Sequence, residues 1–273
     1  MLIPASDDLK LFGEIAEQLT QLSGSILHAE LDGKPLAFDT KADNSPVTKW
    51  DREIELAMRK LISRHFPTHG ILGEEFESIN QDSDYQWILD PIDGTDEFLY
   101  GQPVFGSIAA LYYQGIAIAG SIFHPALNLG VSAAKGCGLK TRYPSDWLNR
   151  PSATTSSLPR IACSSPREFF RCPETTEFFP HFAQRFSNLR MYRCCFEYTS
   201  ALLGMVDACI DVNVHLWDMA PLEVLAAEAN LSFVDFSPST SPMAKDTRRI
   251  VLGKQSTVEE ICELLQQYKL LKK

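Results

Sequence analysis

The chain has 273 residues, and its 25 lysine and arginine residues against 35 aspartate and glutamate residues give a formal net charge of −10. A protein that binds the nucleic-acid backbone needs a basic surface, so this balance argues against nucleic acid as a partner. Hydrophobic residues make up 45% of the chain and charged residues 22%, which is typical of a globular protein and excludes a disordered or fibrous one.

The seven cysteines are odd in number and include no Cys-x-x-Cys pair. This pattern argues against a disulfide framework and against a structural zinc site. The first ten residues are acidic and polar, unlike a signal peptide, and no stretch approaches the ~20 apolar residues that span a bilayer. We therefore expect a cytoplasmic protein with reduced thiols and no membrane partner.

Two amphipathic helices are predicted at the start of the chain. Apolar residues recur at spacings of three and four from Leu9 to Leu22, which predicts the first helix. After a predicted loop over residues 32–48, Asp51 opens a second helix that ends before Pro67. Two long helices are thus expected before any strand.

Strand signals follow these helices. Apolar segments occur at residues 69–73 and 85–90 and become dense over residues 104–133, where glycines separate hairpin-like segments. We expect this central region to be antiparallel. Residues 142–159 are rich in proline, serine and threonine and mark a seam between two halves.

Short apolar strands alternate with helical patterns beyond the seam. The predicted strands cover residues 160–163, 208–212, 232–234 and 250–252, and the predicted helices cover residues 195–203, 218–229 and 257–271. This alternation favours an α/β half packed in layers on the first half. The chain is therefore expected to divide into an N-terminal α+β half, residues 1–145, and a C-terminal α/β half, residues 146–273, which together form one compact unit.

The most informative segment runs from Trp87 to Phe98 and has the sequence Trp-Ile-Leu-Asp-Pro-Ile-Asp-Gly-Thr-Asp-Glu-Phe. An apolar strand delivers Asp90, and Asp93 follows three residues later, so the two carboxylates can converge on one cation. Thr95 stands where a helix N-cap would, so its hydroxyl and the nearby N–H groups can face a phosphate. The alternative is an Asp-rich turn whose side chains only cap the backbone.

Three further blocks favour a metal site over a simple turn. They are Pro-Val-Thr-Lys-Trp-Asp at residues 46–51, Gly-Glu-Glu-Phe at residues 73–76 and His-Leu-Trp-Asp-Met-Ala-Pro at residues 215–221. The candidate ligands supply only oxygen atoms, which the hard ion Mg²⁺ prefers. No covalent nucleophile is indicated, because no histidine or cysteine is paired with a nearby acid in the manner of a catalytic triad.

In this order and spacing, the four blocks resemble those of the inositol monophosphatase family of magnesium-dependent, lithium-sensitive phosphatases. The similarity runs over about residues 43–229. It implies an α/β (α+β) fold, the layered αβαβα sandwich of the inositol monophosphatase and fructose-1,6-bisphosphatase type, usually as a homodimer. It also implies that metal-activated water hydrolyses a small phosphate monoester at two or three Mg²⁺ ions.

The resemblance assigns metal ligands position by position. One Mg²⁺ is expected at Glu74, Asp90 and the backbone carbonyl of Ile92. Asp90 is expected to bridge to a second ion that Asp93 and Asp218 also hold.

The same resemblance assigns catalytic and phosphate-binding residues. Thr95, Asp51 and Glu74 are the expected catalytic residues, with Thr95 and Asp51 orienting the attacking water and helping to hold a third ion. The phosphate is expected to bind at Asp93, Gly94 and Thr95.

Two positions qualify this assignment. Lys49 and Trp50 precede Asp51 where small or acidic residues are common in the family, so a cation is expected near the third metal site. For Glu75, a solvated surface carboxylate is expected as readily as a role at the site.

Four residues of the second half are candidates for substrate selectivity. Asp211 lies seven residues before Asp218, where inositol-specific members place a glutamate, and Cys194 stands where the histidinol-phosphate phosphatase branch often has an aspartate. Glu197 and His215 complete the set, although a hydrogen-bonded structural role is favoured for His215.

The expected substrate is inositol monophosphate or a related polyol or sugar phosphate. Residues 66–76 and 101–107 resemble the histidinol-phosphate phosphatase branch, which is the alternative. Adenosine 3′,5′-bisphosphate phosphatases share the turn at residues 93–98, but their Gly-Ser-Ser-Leu-Lys segment is absent. An inactive metal-binding regulatory protein would have an altered ligand set, whereas all the expected ligands are present.

Overall fold

The structure, a computed structural model, describes residues 4–30, 36–41, 45–144, 158–238 and 247–271. Its helices are α1 (Ser6–Glu30), α2 (Lys49–His65), α3 (Thr95–Leu99), α4 (Pro166–Arg171), α5 (Pro173–Thr176), α6 (Phe178–Arg185), α7 (Phe196–Leu202), α8 (Leu216–Met219), α9 (Leu222–Glu228) and α10 (Gln255–Gln267). Its strands are β1 (Phe38–Thr40), β2 (Pro46–Thr48), β3 (Gly70–Gly73), β4 (Tyr85–Asp93), β5 (Gly106–Tyr113), β6 (Ile116–His124), β7 (Leu129–Ala134), β8 (Leu139–Arg142), β9 (Ile161–Cys163), β10 (Leu189–Met191), β11 (Ala208–Val214), β12 (Ser232–Asp235) and β13 (Arg248–Gly253).

The two predicted N-terminal helices are confirmed as α1 and α2. Helix α2 begins at Lys49 because Thr48 caps it: the Thr48 hydroxyl accepts from the N–H groups of Trp50 and Asp51, and the Asp51 carboxylate accepts from the Thr48 N–H. The expectation that no strand precedes this helix is wrong. Strands β1 and β2 pair antiparallel within the predicted loop.

A six-stranded sheet with the order β3-β4-β5-β6-β7-β8 occupies the centre of the first half. Its pairs from β4 to β8 are antiparallel, as predicted, while β3 runs parallel to β4. Successive residues of a strand face opposite sides, so Trp87 and Leu89 pack with the α1 and α2 core whereas Ile88 packs with α8 residues. Both faces of the sheet are therefore covered by helices.

The second half contains a five-stranded sheet with the order β10-β9-β11-β13-β12. The predicted strands β9, β11, β12 and β13 are confirmed. The sequence analysis did not predict β10 or the short helices α4 to α6, because elements of three to eight residues carry too little periodicity. Proline begins both α4 and α5, and the phenylalanine-rich segment forms core against α10, with Phe169, Phe178 and Phe182 wholly buried.

The elements stack in five layers, which confirms the expected αβαβα sandwich. Helices α1 and α2 cover one face of the six-stranded sheet, and α7, α8 and α9 lie between the two sheets. Helices α4 and α10 contact the far face of the five-stranded sheet. One apolar cluster joins the facing sheets, with Ile108 and Ile122 on one side and Cys209 and Ile250 on the other.

The predicted seam falls largely on residues 145–157, which lie outside the described residues. The division into halves at residue 145 therefore stays a prediction. None of the described helices combines the length and apolar character needed to cross a membrane.

Two buried histidines are held in the neutral form. The Nδ1 atom of His124 contacts the carbonyls of Val104 and Phe105 at 3.0 and 3.1 Å, and its Nε2 lies 2.9 Å from the Thr199 hydroxyl. Two carbonyl neighbours fix the proton on Nδ1, so Nε2 accepts from the threonine. Burial lowers the pKa of His124 to about 4.

His69 is the second neutral histidine. Its ring is stacked between Phe66 and Tyr85, with centroid distances of 4.6 and 4.5 Å, and its Nδ1 accepts from the Trp87 indole N–H at 3.2 Å. Burial lowers the pKa of His69 to about 4 as well.

We expect His124 to make the free energy of unfolding depend on pH. Between pH 7 and pH 4.5 the unfolded chain protonates this residue while the native state keeps it neutral, so stability falls with pH by roughly 2 kcal/mol from His124 alone. Chemical denaturation at both pH values should show this fall to be smaller in His124→Gln than in the wild type. Contributions of buried acids are common to both proteins and cancel in the comparison.

The control is His181→Gln, since His181 is exposed. This variant should keep the wild-type difference between the two pH values. Equal pH dependence in His124→Gln and the wild type would contradict a neutral His124.

Candidate active site

The turn after β4 brings two carboxylates to one point. Pro91 has no N–H to donate to the sheet, and the β4–β5 register shifts between Asp90 and Asp93. Gly94 then takes a left-handed conformation with φ +86°, and a Cβ atom there would lie 2.9 Å from the Cβ of Cys194. Only glycine fits this turn without strain.

Glu74 joins this point from the neighbouring strand. Because β3 and β4 are parallel, their carboxyl ends lie at the same edge of the sheet, with Gly73 opposite Leu89. The N–H of Glu74 donates to the carbonyl of Leu89 at 3.2 Å, which places Glu74 beside Asp90.

Glu55 and Arg59 form a buried ion pair that supports the turn at Glu74. Glu55 accepts from the Glu75 N–H at 2.7 Å and from Arg59 Nε at 2.7 Å. A Cβ atom at Gly73 would lie 2.1 Å from Glu55 Oε1, so glycine is required for this close approach. Sequence analysis missed Glu55, although it lies four residues after Asp51 and therefore on the same helix face.

Helix α8 supplies a further carboxylate, that of Asp218. One oxygen each of Asp90, Asp93 and Asp218 lies within 4.8 Å of the others. Backbone N–H groups hold two of the three side chains, since His215 donates to Asp218 at 2.7 Å and Cys195 donates to Asp93. These donors come from the starts of α8 and α7.

Burial and mutual repulsion raise the pKa of all three acids. Burial is the main cause at Asp90, followed by the charges of Glu74, Asp93 and Asp218. The pKa of Asp93 rises to about 7, again mainly through burial, and that of Asp218 is raised by burial and by Asp93. The Oδ1 atom of Asp90 is buried with no hydrogen-bond partner among the described residues. Such a cluster favours a bound cation or proton.

Lys41 is a cation that pairs with two acids beside this cluster, Glu74 and Glu75. Its Nζ lies 2.6 Å from a carboxylate oxygen of Glu74 and 2.6 Å from one of Glu75. Burial acts to lower the pKa of Lys41, but the two carboxylates outweigh it and raise the pKa above its ordinary value. Lys49, the cation expected near the third metal site, has its amine over the Trp50 ring, 4.7 Å from the centroid. Its place near a third ion stays a prediction.

Glu75 is not a solvated surface carboxylate. Its side chain is 4% exposed, and burial together with the charge of Glu74 raises its pKa to about 7. Because Lys41 pairs with both glutamates, Glu75 lies beside Glu74 and supports it.

The Thr95 hydroxyl faces Asp51 and not a helix N–H. The prediction of Thr95 as an N-cap is wrong, because Gly94 takes the cap position and Thr95 begins α3. Thr95 Oγ1 lies 3.3 Å from Asp51 Oδ1 and 3.2 Å from the carbonyl of Ile92. The other oxygen of Asp51 is held by the Thr48 N–H and hydroxyl at 2.7 and 2.5 Å.

These groups line a cleft of about 290 Å³. The predicted site residues along it are Glu74, Asp90, Ile92, Asp93, Gly94, Thr95, Cys194, His215 and Asp218. Asp51 reaches the cleft through its contact with Thr95. The His215 ring stacks on Trp217 with a centroid distance of 5.0 Å.

Two selectivity candidates lie behind the cleft wall. Asp211 is buried and accepts from the Tyr198 hydroxyl at 2.8 Å and from the Val212 N–H at 2.7 Å. Glu197 is also buried, and burial followed by the charge of Asp211 raises its pKa well above the ordinary value. Neither side chain is part of the cleft lining, so this arrangement does not offer a direct substrate contact from either.

Among the side chains that were not predicted from the sequence are two basic ones, at the cleft and at its edge. Arg193 lines the cleft, and Lys41 contacts the acids from outside it. Arg193 is adjacent to Cys194, so the position of Cys194 was a usable signal. Lys41 precedes the Pro46 block in a loop, and no pattern in the sequence distinguishes it from a solvated lysine.

Comparison with known proteins shows the family to which this chain belongs. The profile of the Inositol monophosphatase family matches residues 8–270. The chain is 33% identical over 226 residues to a histidinol-phosphatase of Mycobacterium tuberculosis, covering 82% of this chain and 85% of the relative. It is 28% identical over 235 residues to an inositol monophosphatase of Dictyostelium discoideum, covering 80% and 82%.

The fold matches solved structures as well. An inositol monophosphatase from Zymomonas mobilis superposes with a TM-score of 0.76 at 25% identity, covering 96% of this chain and 100% of that one. The family is generally metal-dependent and acts on small phosphate esters, which agrees with the acidic cluster of the cleft. The chain belongs to the inositol monophosphatase family and is a phosphoric monoester hydrolase.

Proposed function

We propose that this protein hydrolyses a small polyol or sugar phosphate monoester with Mg²⁺ as cofactor, using two or three ions. The convergence of Asp90, Asp93 and Asp218 within 4.8 Å in a cleft that also contains Glu74 carries this proposal. Like charges at this separation repel, so the arrangement is stable only with a cation or protons between them.

The donor set fits magnesium, because every candidate ligand is an oxygen. Glu74, Asp90 and the Ile92 carbonyl would hold one ion, and Asp90, Asp93 and Asp218 a second. Bound magnesium supplies the positive charge that neutralises a phosphate dianion and makes water more acidic. The unpartnered Oδ1 of Asp90 supports this fit, since it gains most from a cation.

Thr95 and Asp51 are proposed to orient the attacking water. The Thr95 hydroxyl donates to Asp51 or to the Ile92 carbonyl, and its oxygen then remains an acceptor for a hydrogen of water. The capping box of α2 fixes Asp51, which therefore fixes Thr95. The N–H groups of Gly94 and Thr95 are proposed to bind the phosphate, beside the carboxylate of Asp93. Asp51 is also the proposed ligand of a third ion.

The leaving alcohol is proposed to be a polyol or sugar, with inositol monophosphate as the first candidate. Cys194 argues against a cationic alcohol, because a thiol at the cleft wall provides no negative charge for an ammonium group. Histidinol phosphate is the second candidate, favoured by the similarity to a histidinol-phosphatase. A homodimer in the cytoplasm, as the family resemblance implies, completes the proposal.

Phosphate release tests the proposal directly. The substrates are inositol 1-phosphate, histidinol phosphate and a set of sugar phosphates, each assayed with and without Mg²⁺. We expect release to require Mg²⁺ and to fall by a factor on the order of 10² or more in Asp93→Asn, which withdraws a charged ligand. Asp82→Asn, the same chemical change at an exposed position outside the cleft lining, is the control and should stay within about twofold of wild type. Near-normal release by Asp93→Asn would contradict the two-metal arrangement.

Thr95→Ala should separate catalysis from stability. Loss of the hydroxyl should cost about 1 kcal/mol of unfolding free energy, whereas turnover should fall by a factor on the order of 10² if Thr95 orients the water. Thr95→Ser keeps the hydroxyl and should retain most of the turnover. Thermal denaturation and steady-state kinetics measure the two effects, and a lower Tm with unchanged turnover would leave Thr95 a structural role only.

Lithium should inhibit the magnesium-dependent activity at elevated concentration. The family resemblance implies that a small cation enters the second site, bounded by Asp90, Asp93 and Asp218, after hydrolysis and delays product release. Titration of lithium chloride against sodium chloride at constant ionic strength measures the effect. Turnover that is insensitive to lithium across the titration would show that this family property does not extend to the chain.

A further inference from the structure

Arg193 is placed where it can meet the substrate. It precedes Cys194, whose φ of +53° turns the chain at the cleft wall, and its side chain is 51% exposed. Among the described residues that line the cleft, Arg193 is the one lysine or arginine, and six carboxylates line the same cleft. They are those of Glu74, Asp90, Asp93, Asp96, Glu97 and Asp218.

The Nε side of the Arg193 guanidinium is already paired with Glu97. The Nε atom of Arg193 lies 3.0 Å from Glu97 Oε1. Within the described part of the chain, the two terminal nitrogens make no hydrogen bond. By contrast, the Lys41 amine is occupied by two carboxylates. Arg193 therefore presents an aligned pair of N–H donors, the geometry that matches carboxylate and phosphate oxygens.

The burial of the Glu97 side chain indicates which part of a substrate the Arg193 guanidinium would face. The Glu97 side chain is 7% exposed, and its Oε2 lies 3.2 Å from the point where a Cβ at Gly94 would stand, so it lies against the turn of the proposed phosphate site. Arg193, far more exposed, lies on the outer side of Glu97. A phosphate held at the turn would have its alcohol on the solvent side of the cleft, the side on which Arg193 lies.

We infer that Arg193 selects phosphate esters whose alcohol carries a second anionic group, a carboxylate or another phosphate. This inference rests on the proposed function and narrows its substrate class. An uncharged polyol gives the terminal N–H groups only neutral acceptors, and charge-assisted hydrogen bonds are about twice as strong as neutral ones. The ammonium group of histidinol phosphate is repelled by the guanidinium.

Matched substrate pairs test the inference. 3-Phosphoglycerate differs from glycerol 3-phosphate by a carboxylate in place of a hydroxymethyl group, and fructose 1,6-bisphosphate differs from fructose 1-phosphate by a second phosphate. Wild-type kcat/KM with Mg²⁺ should be at least ~10-fold higher for the anionic member of each pair. Arg193→Gln should lower kcat/KM for the anionic member far more than for the uncharged member, so that the preference disappears, and Arg193→Lys should restore part of it.

Arg190→Gln provides the matched control. It removes the same charge three residues away at an exposed position, where the side chain donates to the Leu189 carbonyl outside the cleft lining. It should keep the wild-type preference. If Arg190→Gln lost the preference as Arg193→Gln does, a general effect of surface charge would replace the inference.

Two results would overturn the inference while leaving the proposed function intact. The first is hydrolysis of both members of each pair at equal kcat/KM by the wild type. The second is an equal loss for both members in Arg193→Gln, which would assign Arg193 to the scissile phosphate.

Binding keeps the inference testable if none of the pairs is hydrolysed. Calorimetric titration in Ca²⁺ then compares Kd for the two members of each pair. Tighter binding of the anionic member that disappears in Arg193→Gln supports the inference, and equal binding overturns it. Absence of magnesium-dependent hydrolysis for every phosphate ester would instead count against the proposed function.

Discussion

The structure depends on holding mutually repelling carboxylates together at low solvent exposure. Asp90 is 1% exposed and shares its surroundings with Glu74, Asp93 and Asp218. Taking one carboxylate out of water costs several kcal/mol unless it is paired or protonated, and each neighbour adds repulsion. The cluster therefore opposes folding in the absence of a cation, and the rest of the fold has to supply the stability that keeps it assembled.

The fold meets this demand in part by fixing three carboxylates of the site through backbone N–H groups of different segments. The N–H groups of Cys195, His215 and Thr48 hold one oxygen each of Asp93, Asp218 and Asp51. Since one oxygen is fixed by rigid backbone, the direction of the other is set as well. The Oδ1 atom of Asp90 has no hydrogen-bond donor within the described residues. Preorganisation of this kind reduces the rearrangement needed when a cation binds.

The helices and strands that carry the carboxylate cluster could be predicted from the sequence. The residues that support the cluster could not. Long periodic helices and the apolar strand ending at Asp90 have strong local signals. The resemblance of the acidic blocks to a known family assigned Asp93 and Asp218 to one site. Lys41 and Glu55 act through contacts with Glu74 and Glu75 that are distant in sequence, and no local pattern encodes them. Thr95 was expected to cap a helix because its type and position suit a cap, but a tertiary contact with Asp51 competes for the hydroxyl.

The floor and the mouth of the cleft come from separate segments, which explains how one family acts on different alcohols. The proposed metal-binding carboxylates lie just after β3, on β4 and on α8, whereas Arg193 and Cys194 lie on the connection between β10 and α7. Substitutions in this connection change the charge facing the alcohol without moving the acids, provided that the Cys195 N–H keeps its bond to Asp93. Asp211 shows the opposite case, since its bonds to Tyr198 and Val212 commit it to the interior. These internal bonds keep Asp211 out of the cleft lining, which agrees with the proposal that selectivity in this chain comes from the connection that precedes α7.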